Sequence, residues 1–186
     1  MDLAGWTNDR LVEERLRRLP EDEWVYGQPN SSIVMATFLH VPPGGSRFNG
    51  PDLGAWYAAA TLRTAAFEVA HHLRREAVAT GAAILQRDFR TYTAELAGSY
   101  LDIRGQQVPR AGVYDPGSYA ASQALGEAIR ASGGAGIIYD SVRHIGGVNI
   151  VAHRPRNILQ VTQTDHWRLT VDAASPRTEM ARLTTA

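Results

Sequence analysis

The 186 residues include no cysteine, so disulfides, thiolate metal sites and a cysteine nucleophile are excluded, and the length suffices for one domain with its own core. Basic and acidic residues balance at 19 each, which argues against a nucleic-acid polyanion as the main partner. All 19 basic residues are arginine, which excludes Schiff-base and P-loop lysine chemistry.

In chain order, Thr7 caps an expected amphipathic helix over 7–19 carrying Leu11, Val12, Leu16 and Leu19, closed by Pro20 and Glu21-Asp22-Glu23. Ile33 to Val41 is apolar and β-branched and reads as a strand, stopped by Pro42-Pro43-Gly44-Gly45. Ala55 to Ala59 reads as a second, short strand. From Thr61 to Thr80 the period is helical, with Leu62, Ala65, Ala66, Val69, Ala70 and Leu73 on one stripe and Gly81 as the stop.

Ala83 to Leu96 and Tyr100 to Ile103 read as strands, followed by an irregular stretch through Pro109, Gly112 and Pro116. Ser118 to Ser132 is a second long helix ended by Gly133-Gly134. Gly136 to Asp140, Val148 to His153 and Ile158 to Val171 are strand-like, and the polar tail from Ala173 is expected to be loosely held. Strands and helices do not alternate strictly, so the expected class is α+β, a compact single domain over 1–186 with a mixed or antiparallel β core and flanking helices. No apolar run reaches membrane-spanning length and the N-terminus lacks signal-peptide character, so a cytoplasmic protein with no membrane partner is expected.

Four residue types stand out along this order: Arg47 in Ser46-Arg47-Phe48-Asn49-Gly50, Tyr57 in Trp56-Tyr57-Ala58-Ala59, Glu68 in the helix, and Ser141 in Tyr139-Asp140-Ser141-Val142-Arg143-His144. Together they suit the grip of a dinucleotide and the breaking of its glycosidic bond. Arginine makes paired charge-assisted bonds to phosphate, and an aromatic ring packs on nicotinamide or ribose. A carboxylate holds a ribose hydroxyl and faces an oxocarbenium-like transition state with opposite charge. Each residue alone has an ordinary explanation. Arg47 can be a surface arginine, Tyr57 a core ring, Ser141 a turn serine, and Glu68 a local partner of His71, His72 or Arg75.

Glu68 lies beside the apolar stripe, and a carboxylate there needs a partner or a task. Ser141 has no nucleophile elbow around it, so a hydrogen-bonding role is favoured over nucleophilic attack. Arg143, His144 and Asn149 flank it, and His40 ends the segment before Arg47. His71 and His72 are adjacent on a helix and diverge by about 100 degrees, so no metal site is expected.

In joint order, SRF, WYAA, the helical Glu68, YDSVRH and GGVNIVAHRP resemble the RES-domain family over roughly Ile33 to Pro155. The wording looks most like its ParT-type branch. The resemblance implies a fold similar to ADP-ribosyltransferase toxins, and an activity that consumes NAD+ as substrate, with no metal. It implies Arg47, Tyr57 and Glu68 as catalytic residues, and Arg47, Tyr57, Ser141, His40, Arg143 and Asn149 as contacts to NAD+. His40, Tyr57 and Glu68 are also similar to the His-Tyr-Glu trio of diphtheria-like transferases. Many relatives carry GRWN where this chain has SRFNG, and a further arginine in the first strand where this chain has Val34-Met35-Ala36-Thr37. Arg143 or His40 is then the expected substitute.

The implied partners are a cognate Xre/ParS-type antitoxin and a host protein that accepts ADP-ribose, a metabolic enzyme being conceivable. Water or phosphate as acceptor is the alternative, and a non-catalytic nucleotide-binding or interaction domain is the reading from another class.

Overall fold

In the computed structural model, residues 12–184 are described. The fold is α+β, with mixed and antiparallel sheets flanked by helices. The chain divides into two compact units. The first holds the described residues up to Tyr57, Ala94–Tyr139 and Ile150–Val161, and the second holds Ala58–Thr93, Asp140–Asn149 and the described residues from Thr162. Among the described residues no helix is long and apolar enough to cross a membrane.

Residues 12–18 are helical (α1), and Pro20 leads into a single 3-10 turn, Glu21–Glu23. The expected cap Thr7 and the expected apolar Leu11 lie outside the described residues.

The run read as a strand from Ile33 to Val41 is instead helix α2, Ser31–Leu39. A short, continuously apolar run does not distinguish a buried strand from a buried helix by periodicity. The decision is made locally. Asn30 sits in the left-handed region (φ 61, ψ 13) and turns the chain into the helix, anchored by its Nδ2 donating to Val161 O at 2.8 Å. His40 is already extended, and Pro42 and Pro43 forbid continuation.

β1 (Trp56–Ala59) and α3 (Leu62–Thr80) agree with the sequence reading, as do β2 (Ile84–Leu96) and β3 (Tyr100–Asp102). The expected irregular stretch contains one helical turn, α4 (Ala111–Tyr114), pinned by Tyr114 Oη donating to Ile103 O at 2.8 Å. Such a turn is too short to leave a periodic signal. Next come α5 (Ala120–Ala131), β4 (Gly136–Asp140) and β5 (Val148–Ala152). β6 (Ile158–Asp172) and β7 (Thr178–Leu183) complete the chain.

The larger sheet has the order β1-β5-β4-β3, and β3 runs parallel to β4 with Tyr100 opposite Gly136. A Cβ on Gly136 would lie 1.9 Å from Val151 O, so glycine permits the strands to approach there. Phe38, Phe48, Ile103, Ile137 and Val151 are fully buried in the first unit.

The second sheet has the order β2-β6-β7. Ala70 and Leu73 of α3 pack on Leu169 and Val171 of β6, with Leu85, Phe89 and Trp167 around them. β7 corrects the expectation of a loose tail: it pairs antiparallel with β6 from His166↔Leu183 to Val171↔Thr178. Arg74 of α3 secures the connection, donating to Asp172 O, Pro176 O, Arg177 O and Thr178 Oγ1 at 3.0–3.1 Å. The polar sequence of β7 hides this pairing, because its template is β6 rather than its own pattern.

Candidate active site

In the second unit, α3 begins where Thr61, in extended conformation, accepts from Thr64 N through its side chain at 3.2 Å. It ends at Gly81 (φ 71), a left-handed position that glycine fills without strain. Between these caps the helix carries Thr64, Phe67, Glu68 and His71 at spacings that share one face. The loop 141–147 between β4 and β5 meets that face.

Glu68 Oε1 accepts two bonds of 2.6 Å, one from Ser141 Oγ and one from Asn149 Nδ2. Among the described residues Oε2 accepts none. Ser141 Oγ in turn accepts the amides of Arg143 at 3.1 Å and His144 at 2.9 Å, the side-chain-to-backbone turn that favours serine at this place. The loop closes on itself as Ser141 N donates to Gly147 O and Gly147 N to His144 O, both at 2.8 Å. Asn149, on β5, is only 3 % exposed, and among the described residues its buried Oδ1 has no hydrogen-bond partner.

Bonds of this length to a carboxylate are charge-assisted and fix the plane of the group. The geometry therefore presents a partly buried carboxylate with one oxygen held by protein and the other left for a hydroxyl or a developing cation. For His71, one turn further along, burial holds the imidazole down to about 4, with Arg143, His72 and Arg75 acting in the same direction and Glu68 against it.

In the first unit a second cluster surrounds Arg47. Its Nη1 donates to Val113 O and Asp115 O, both at 3.1 Å, and the guanidinium lies 4.8 Å from the centre of the Tyr119 ring. Gly45 (φ 71) makes the preceding turn, where a Cβ would fall 2.3 Å from Asn49 O. Gly126 of α5 lets the same loop cross closely, since its Cβ would meet Phe48 O at 2.0 Å. Tyr57 Oη accepts from Phe48 N and donates to Asn49 Oδ1, both at 2.8 Å. Tyr57 as a whole remains 38 % exposed while its hydroxyl is enclosed, and burial pushes that phenol well above its ordinary range. An aromatic face is thus offered by a side chain locked at its tip.

The structure brings Glu68, Ser141 and Asn149 into one hydrogen-bonded group, with Arg143 joined through its backbone. It ties Tyr57 of β1, through its hydroxyl, to the turn 46–49 that carries Arg47. His40 caps α2, is exposed, and among the described residues its side chain bonds none of the other candidates. Asn49 and Thr64 were not singled out from sequence as site residues. The signal for Thr64 was its place four residues before Glu68 on the same helical face.

The RES domain family model matches residues 15–172, most of the chain. No curated protein matches the sequence.

Proposed function

The chain belongs to the RES-domain family, which is associated with NAD+-using toxins, and we propose that it cleaves the nicotinamide–ribose bond of NAD+ and transfers ADP-ribose to a protein. In this reaction the C1′–N1 bond breaks with its electron pair leaving on nicotinamide, which departs neutral. The acceptor's nucleophile then forms the new bond to C1′ and releases its proton. Glu68 is assigned the carboxylate role: Oε2 holds a ribose hydroxyl and its charge faces the oxocarbenium ion.

The single observation that supports the reading is the carboxylate held on one oxygen by Ser141 and Asn149, with the other oxygen accepting no bond among the described residues. Arg47 and Tyr57 keep the roles implied by family likeness, phosphate grip and packing on the nicotinamide ribose. The same likeness, read as the ParT-type branch, proposes an Xre/ParS-type antitoxin as partner.

The test is incubation of the purified protein with adenine-labelled NAD+ and a bacterial lysate, following free nicotinamide and label on protein. Nicotinamide release with a discrete labelled band supports transfer to protein. Release without a band points to water or phosphate as acceptor, separated by omitting phosphate. No release from the antitoxin-free protein removes the enzyme reading and favours a binding domain.

A further inference from the structure

We propose that Thr64 and His144 form a latch that positions Ser141 and, through it, Glu68, so that His144 is a positioning residue for NAD+ cleavage; this rests on the function proposed above. Three side chains of α3, at 64, 67 and 68, are all engaged by one loop. His144 alone meets two of them: Nδ1 lies 2.9 Å from Thr64 Oγ1, and its ring stacks on Phe67 with centroids 4.7 Å apart and planes 4° from parallel. Glu68 takes the third contact, from Ser141.

The latch is fixed from the helix side. Thr64 is 1 % exposed, and its hydroxyl also lies 2.9 Å from Thr61 Oγ1, the capping atom of α3. The oxygen that meets His144 is therefore placed by the helix start rather than by a free rotamer. The loop is cut to fit it. A Cβ on Gly147 would lie 2.7 Å from Thr64 Cγ2 and 2.8 Å from His144 Nδ1, so no side chain fits between them.

The consequence reaches Glu68 through the backbone. His144 N–H and Arg143 N–H occupy the acceptor positions of Ser141 Oγ. With those filled, the serine's own hydrogen is directed at Glu68 Oε1. A displaced His144 withdraws one of the two amides and frees the hydroxyl to rotate. A loop held only for stability needs no such chain ending on a carboxylate.

The test compares Thr64→Val, which keeps shape but removes the hydroxyl, with Thr64→Ser, which keeps it. For nicotinamide release, kcat of Thr64→Val is expected to fall at least ~10-fold with KM within ~3-fold, and Thr64→Ser to stay within ~3-fold of the parent. Parental kcat in folded Thr64→Val overturns the latch. If Thr64→Val does not fold, His144→Phe, which keeps the ring stack, is expected to show the same loss, and His144→Asn to recover part of it. Equal rates in these two overturn the proposal as well. A parent that releases no nicotinamide defeats the proposed function instead. The latch is then read from the ¹⁵N signals of the His144 imidazole, which must move in Thr64→Val and stay near the parent in Thr64→Ser; unmoved signals in Thr64→Val refute it.

Discussion

Ser141 and Glu68 are 73 positions apart in sequence, and the serine hydroxyl donates to the carboxylate at 2.6 Å. The hydroxyl is fully engaged: its oxygen accepts from two backbone amides and its hydrogen goes to Glu68. Asn149 completes the hold from β5 on the same carboxylate oxygen.

Glu68→Gln keeps an oxygen able to accept from Ser141 and Asn149 while deleting the negative charge. Nicotinamide release is expected to fall more than about 100-fold, corresponding to ~3 kcal/mol of transition-state stabilisation, with the melting temperature unchanged within a few degrees. Parental turnover in this variant would remove Glu68 from the mechanism.

Asn149→Leu separates activity from stability. The substitution removes one of the two donors to Glu68, but it also removes a buried carbonyl oxygen that has no partner among the described residues. Unfolding free energy is expected to change by no more than ~1 kcal/mol, because the lost charged bond and the relieved orphan oppose each other. Turnover is expected to drop at least ~10-fold from loss of orientation. Denaturant melts alongside nicotinamide kinetics check both arms, and retained turnover would make Asn149 a purely structural residue.

Arg47→Ala is expected to behave differently, with activity and stability falling together. The buried guanidinium bonds two backbone carbonyls and packs on Tyr119, so removing it leaves Val113 O and Asp115 O unpaired. A destabilisation of about 2–4 kcal/mol follows from charged hydrogen bonds of this kind. Arg47→Lys has no fork to serve the same geometry and is expected to recover only part of it. Thermal melts decide the matter: an unaltered melting temperature in Arg47→Ala would mean that the two carbonyl bonds contribute nothing to the fold.

The contrast between these residues shows what could be read from the sequence. The α3 helix was legible because a long amphipathic stripe and a glycine stop agree with one another. Glu68 and Ser141 were legible as residue types in a recognisable order. Their bond was not, since it depends on loop 141–147 closing through backbone amides that carry no sequence signature. The segment Ile33 to Val41 misled because its apolar residues surround the helix on all sides, leaving Asn30 and the two prolines to decide its form. β7 was missed for a related reason: its polar residues become a strand only beside β6 and the Arg74 clamp.

His153 sets an acid limit on stability. It is 2 % exposed, and among the described residues neither ring nitrogen has a hydrogen-bond partner; burial first, then the nearby charge of Arg130, pushes its imidazole down to about 3, with the Phe48 backbone acting the other way. In the unfolded chain a histidine titrates near ~6.5. Below that pH the unfolded state binds a proton that the folded state refuses, so stability is complete above ~6.5 and declines as pH falls towards 3, by up to ~1.4 kcal/mol per pH unit. Between pH 7 and pH 5 this single group is expected to remove roughly 2 kcal/mol, measurable by urea denaturation. His71 acts in the same direction, but it is more open to solvent and its share is smaller. His153→Leu removes the titration while filling the same space, and its stability is expected to decline less over that range by about the same ~2 kcal/mol. An identical pH slope in the variant would show that His153 is protonated as readily in the folded protein as in the unfolded chain.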